Sequence, residues 1–127
     1  MSFKRYNGVD KYHFRYYRKT FNHPFIVVAI TGEKESNAVV CLSGYIMTSS
    51  KSRVKKKKRQ YLKLSKNPNP NDQKDSFVCI TRISNIPQNC FSKPFSSWHL
   101  TKEDELLIDS LEERYRKRLK ERKNDSE

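Results

Sequence analysis

Glycine, paired cysteine, long apolar runs and, over the first hundred residues, acidic side chains are all scarce in this chain. It contains three glycines in 127 residues, and none falls in a glycine-rich loop able to cradle phosphates, which disfavours a nucleotide-cofactor enzyme. Cys41, Cys79 and Cys90 are an odd count with no CxxC spacing, which reads as buried thiols in a reducing compartment. A zinc site joining them to His13, His23 or His99 is not expected, and no carboxylate pair shows metal-ligand spacing, so the reading includes neither metal nor cofactor. No stretch approaches the roughly 20 apolar residues of a membrane span, and the start lacks the apolar segment of a secretory signal. These absences predict a cytoplasmic protein with no membrane partner. The length fits one domain, 1–127, with a single compact core.

What is abundant is positive charge, with a net of +13. Residues 1–100 carry 19 of the 27 lysines and arginines but only five acids, Asp10, Glu33, Glu35, Asp72 and Asp75, whereas residues 103–127 carry nine acids against seven bases. A strongly cationic body attracts polyanions by counterion release and steers them from a distance. Nucleic acid is the first partner to consider, ahead of an anionic membrane or an acidic protein.

The most apolar part of the chain runs from 21 to 50. Residues 25–30 form an unbroken apolar run rich in β-branched side chains, bounded by Pro24 and Gly32, the pattern of a strand buried on both faces. Residues 39–42 and 45–47 read as further strand either side of Gly44, with a charged turn at 31–37 before them. Thr48, Ser49 and Ser50 then open onto residues 51–63, KSRVKKKKRQYLK, which hold eight positive charges and no acid. Mutual repulsion predicts a flexible loop over 49–60. A further strand starts at Tyr61, a turn-rich connection with two Asn-Pro dipeptides covers 65–75, and residues 76–84 are predicted strand around the core segment 77–80. Pro87 and Pro94 rule out a long helix over 85–99, and Trp98 there reads as packing.

The N-terminal segment 1–22 interleaves Phe3, Tyr6, Tyr12, Phe14, Tyr16, Tyr17 and Phe21 with Lys4, Arg5, Lys11, Arg15, Arg18 and Lys19. Stackable rings beside cations form a platform for single-stranded nucleic acid, although rings at this density must also supply core. Candidate RNA contacts are therefore Arg15, Tyr16, Tyr17, Arg18 and Lys19, joined by Lys51, Lys55, Lys56, Lys57, Lys58 and Arg59 of the basic loop. At the other end, Thr101 with Asp104 three residues on signals a helix N-terminus, and Leu107, Leu111, Tyr115 and Leu119 recur every four residues. That predicts a helix over 101–120 and a frayed tail over 121–127.

This order of elements, with His23-Pro24 opening the first core strand, Thr48-Ser49 closing a later one and a terminal helix beginning Leu100-Thr101, resembles the MazF/Kid/PemK toxin family. The resemblance covers about residues 22–119. It implies a mainly β fold, a small, strongly bent SH3-like barrel (MazF/CcdB-like) over 23–100 with a C-terminal α-helix. It also implies a homodimer that cuts single-stranded RNA without metal and is neutralised by an antitoxin, protein or RNA, the latter as in the ToxN-type branch. The family pattern has Arg where this chain has His23. Cleavage by the ribose 2′-hydroxyl needs a base, an acid and a cation on the phosphate. The implied division is His23 as acid or base, Thr48 and Ser49 as phosphate donors, and Arg53 or Lys51 as charge stabiliser, with His13, Arg18 and Lys19 in reserve. The alternatives are a non-catalytic nucleic-acid-binding barrel and a gyrase-directed toxin.

Overall fold

The structure is a computed structural model that describes residues 11–20, 23–32 and 39–125. Phe3, Lys4, Arg5, Tyr6, Phe21, the charged residues of the turn at 33–37 and the last two tail residues lie outside the described residues. Six strands, β1 (His13–Tyr17), β2 (His23–Thr31), β3 (Cys41–Thr48), β4 (Tyr61–Lys63), β5 (Phe77–Cys79) and β6 (Ile83–Pro87), are joined by a short helix α1 (Lys51–Lys56) and followed by α2 (Lys102–Asp125). All pairings are antiparallel, in the order β1-β2-β3-β5-β4, and β6 branches from β3. The protein is thus mainly β with a C-terminal helix. Among the described residues no pairing joins β1 to β4, so the sheet follows an open path.

The apolar run of β2 feeds two cores because successive side chains leave a strand on opposite faces. Ile26 packs with Tyr12, Phe14, Tyr45, Met47 and Val78 against Ile108 and Leu111 of α2. Phe25 and Val27 pack with Leu42, Ile86 and Phe91 on the other side. Two-sided burial stops there, since Ile30 is 58% exposed. The strand stays paired with β3 through Thr31, but its Ile30 side chain faces outward.

Register between β2 and β3 is set by close backbone approach. Phe25 pairs with Ile46, Ile26 with Tyr45 and Val27 with Gly44, and a bulge at Val28 then shifts the ladder. A Cβ on Gly44 would lie 1.8 Å from the Ile26 carbonyl oxygen, so only glycine allows this contact, and β3 runs unbroken through a residue that reads as an interruption in sequence. A second irregularity, between β3 and β6, uses Asn85 at φ 59°. Its N–H donates to the Ser43 hydroxyl at 3.0 Å, and asparagine tolerates that backbone better than most residues.

Three departures from the sequence expectation have plain causes. The segment expected as a loop over 49–60 contains α1, because Ser50 caps it by accepting the Arg53 N–H at 3.3 Å. The tail expected to fray at 121 stays helical to Asp125. The apolar stripe predicted on α2 is also rotated: Asp104, Ile108, Leu111 and Glu112 are the buried residues, while Leu119 is 42% exposed.

That rotation follows from carboxylates that dock the helix. Thr101 caps α2, its hydroxyl accepting the Asp104 N–H at 3.1 Å. Asp104, 1% exposed, accepts the backbone N–H groups of Ser65 and Lys66 at 2.7 and 3.3 Å. Asp109 accepts from Lys11 at 2.8 Å and from the Tyr12 hydroxyl. Burial alone would raise its carboxyl, but these two donors outweigh it and hold Asp109 below the usual carboxylate range. Glu112 accepts from Tyr45 at 2.7 Å and from the Arg82 guanidinium at 2.8 and 3.3 Å. Burial, then Glu112, pushes the Tyr45 hydroxyl well above its ordinary value. All three thiols, expected buried, are half-buried and free.

Two stability outcomes follow. Gly44→Ala forces a side chain into the β2 backbone and is expected to cost more than about 3 kcal/mol, in the upper range for single substitutions. A urea midpoint within error of wild type would overturn the register argument. Glu112→Ala leaves Arg82 nearly buried without its carboxylate and is expected to cost about 3–5 kcal/mol. Glu112→Ala combined with Arg82→Met should recover a large part of that loss in the same assay.

Candidate nucleic-acid interface and catalytic cavity

The β2–β3 register has a consequence at the open end of the hairpin. Continued two residues beyond the Phe25–Ile46 pair, it brings the start of β2, His23, level with the end of β3, Thr48. A cavity of about 340 Å³ opens there, lined by His23, Pro24, Thr48, Ser49 and Ser50 together with Asp72, Lys74 and Trp98. The imidazole and hydroxyls predicted from sequence therefore line one cavity.

Arg53 of α1 touches His23 beside this cavity, its Nη1 lying 3.3 Å from His23 Nε2. A guanidinium has donors and no acceptor, so Nε2 accepts, the ring proton is on Nδ1 and the imidazole is neutral. Burial, and then the Arg53 charge, lower the His23 pKa from its ordinary value. The result is a neutral base held against a permanent cation.

The hydroxyls are not equivalent. Thr48 is 4% exposed, and its oxygen accepts the Ser50 N–H at 3.1 Å. It holds the turn that carries the site. Ser49 is exposed and Ser50 half-buried, with the Ser50 hydroxyl 3.2 Å from that of Ser52. A second cavity, about 440 Å³, adjoins the first through Ser50 and is lined by Ser52, Arg53, Lys56, Lys57 and Tyr61. Lys55, Lys58 and Arg59 are exposed outside both cavities, and Lys51 lies 3.9 Å from Asp75 in an exposed ion pair.

The N-terminal candidates divide by strand face. Tyr17 stacks on Phe91 at 5.1 Å and meets Phe25 edge-on at 5.7 Å, inside the second core. Tyr16 is 37% exposed and packs edge-on against Phe95 at 4.5 Å. Arg15 is braced within the fold, donating to the Ser92 carbonyl and to His13 Nε2, both at 3.1 Å. His13 is half-buried beside that guanidinium, and burial first, then Arg15, lower its pKa. It lies on β1 four residues from Tyr17, the residue opposite His23, too far along the strand to share the His23 cavity. Arg18, with Arg15 and Lys93, lines a separate open hollow of about 470 Å³, while Lys19 is exposed beside it.

Sequence reasoning missed Asp72 and Lys74 at the cavity, because they fall in the turn-rich segment 65–75 read only as a connection. Its regular Asx turns, Asn69 N–H to Asn67, Asn71 N–H to Asn69 and Lys74 N–H to Asp72, each at 3.0 Å, were the available signal that this segment is ordered. For Trp98 the sequence favours packing, with a partner contact as the alternative.

The His23–Arg53 pair is testable without substrate. In an NMR titration the His23 ring should protonate below about pH 6.5, the ordinary histidine value, and Arg53→Gln, which removes a cation, should move that midpoint upward. An unchanged midpoint in the variant would refute the contact. In comparisons with known proteins, no family model, no curated protein and no solved structure matches this chain.

Proposed function

We propose that this protein is a metal-independent endoribonuclease that cleaves single-stranded RNA, a toxin of MazF/Kid/PemK-like kind on a small SH3-like bent barrel, acting as a homodimer in the cytoplasm and neutralised by an antitoxin. The observation that carries this reading is the Arg53–His23 hydrogen bond beside a cavity that His23 lines together with Thr48, Ser49 and Ser50. The ribose 2′-hydroxyl is an internal nucleophile, so a base, a cation and a proton donor suffice for the reaction.

An incoming phosphate draws the Arg53 guanidinium onto its non-bridging oxygens, since a phosphate accepts charge-assisted hydrogen bonds more strongly than imidazole does. That exchange frees the His23 Nε2 lone pair, which takes the 2′-hydroxyl proton as the 2′-oxygen bonds to phosphorus. The Ser49 and Ser50 hydroxyls and Arg53 share the extra negative charge of the pentacoordinate phosphate. The bond to the 5′-oxygen breaks, and the leaving oxygen takes a proton from the Lys74 ammonium or from water. The products are a 2′,3′-cyclic phosphate and a 5′-hydroxyl. Lys56 and Lys57 hold the flanking backbone.

A second reading, a module that binds RNA without cutting it, is favoured by one feature: the base lone pair is occupied by Arg53 when no substrate is present. End-labelled single-stranded RNA incubated in EDTA separates the two. The nuclease reading expects fragments ending in 2′,3′-cyclic phosphate and a rate about 10²–10⁴-fold lower in His23→Ala, the usual worth of a general base. The fall of rate at acid pH should follow His23 protonation, and Arg53→Gln should shift it to higher pH as well as lowering the rate. Intact RNA bound with strong salt dependence would overturn the enzyme and leave the binding module.

A further inference from the structure

We infer that the part of the His23 cavity lined by Trp98 and Asp72 is a nucleobase subsite: Trp98 is the stacking surface and Asp72 reads the base edge, so that one guanine beside the scissile phosphate is preferred. This inference rests on the proposed single-stranded RNA substrate and adds the base that the site selects.

The indole is held as a fixed plane. Its ring centroid lies 5.7 Å from that of Phe14, 4.8 Å from Phe95 and 6.4 Å from Tyr16, so three neighbouring rings brace it. The residue is nonetheless only half-buried and lines the same cavity as His23. A half-buried aromatic ring braced by its neighbours and lining a cavity offers a surface on which a single-stranded base can stack. The cavity, about 340 Å³, is at the small end of the ligand-site range of roughly 300–1,000 Å³. That suits a single base more than a run of them.

Asp72 supplies the discrimination. Its Oδ1 is fixed by the Lys74 N–H at 3.0 Å, and among the described residues Oδ2 has no hydrogen-bond or ion-pair partner. The amide of neighbouring Asn67 is already spent, donating to the Lys74 carbonyl and accepting the Asn69 N–H, both at 3.0 Å. Asp72 is thus an oriented, half-buried carboxylate with an acceptor to spare, beside a stacking surface. Guanine presents two adjacent donors, N1–H and the N2 amino group, which a carboxylate accepts together. The Watson–Crick edges of adenine, cytosine and uracil do not offer that pair.

Trp98 is the sole tryptophan of the chain, so its fluorescence reports this subsite without cleavage. The probe is a short single-stranded oligodeoxythymidine with or without one central guanine; lacking the 2′-hydroxyl, it binds uncut. Binding is followed separately by anisotropy of a terminal dye. The inference expects quenching of Trp98 on binding and about tenfold tighter binding with guanine than with adenine, cytosine or thymine at that position, the usual worth of one two-point base contact. Asp72→Asn keeps the Oδ1 acceptor for Lys74 and therefore the turn, but replaces an acceptor oxygen with a donor, so the guanine preference should vanish while far-UV circular dichroism is unchanged. Anisotropic binding with unaltered fluorescence, or a guanine preference intact in Asp72→Asn, overturns the subsite even if RNA is cut. Quenching and guanine preference without RNA cleavage uphold the subsite and remove the nuclease. A probe that does not bind removes both.

Discussion

Backbone contact between β2 and β3 is the constraint from which the remaining arrangement follows. With 1.8 Å between a would-be Gly44 Cβ and the Ile26 carbonyl, the two strands approach more closely than any side chain at that position permits. The register that results is unique, because a one-residue slip would turn Phe25 and Val27 out of one core and Ile26 out of the other. The same register carries the start of β2 to the end of β3. His23 and the Thr48-Ser49-Ser50 turn therefore owe their proximity to packing some distance away, and not to any attraction of their own.

Charge in this protein is partitioned by the fold. The nine acids after residue 102 make the end of the sequence nearly balanced in charge, and Asp104, Asp109 and Glu112 among them are spent on docking α2 to the rest of the fold. Each is matched by named donors, which is the condition under which a buried carboxylate is tolerated. Because these acids are used at one side, the basic residues of α1 and its approach are left with few anionic neighbours. Asp75, near Lys51 and Lys63 at 3.9 and 3.7 Å, is the described exception. A cationic rim above a cavity whose wall carries a neutral imidazole is the electrostatic setting on which the proposed chemistry draws.

The short helix α1 shows how capping decides between two outcomes of one composition. Five consecutive bases at 55–59 repel and favour an open chain, and that expectation ignored Ser50. Its hydroxyl, by accepting the Arg53 N–H, starts a turn and a half of helix and so gives Arg53 a defined position. The contact from that guanidinium to His23 depends on the cap, which makes Ser50 structurally as well as chemically part of the cavity.

Composition and local pattern were enough to establish the cationic character, the β-rich body, the limits of β2 and the N-terminus of the last helix, because each depends on neighbours within a few residues: periodicity, proline and glycine placement, and the Thr101 cap. His23, Thr48, Ser49 and Arg53 entered as candidates through the family resemblance and not through local pattern. What local pattern could not supply was every long-range pairing: the strand β6, the inward turn of Asp104 and Glu112, the commitment of Tyr17 to the second core and of Arg15 to Ser92, and above all the presence of Asp72 and Trp98 in the cavity that His23 lines. Those depend on residues 26 to 77 positions apart in the chain meeting in space, and hydrophobic packing, which is non-directional, leaves no mark at single positions to say which will meet.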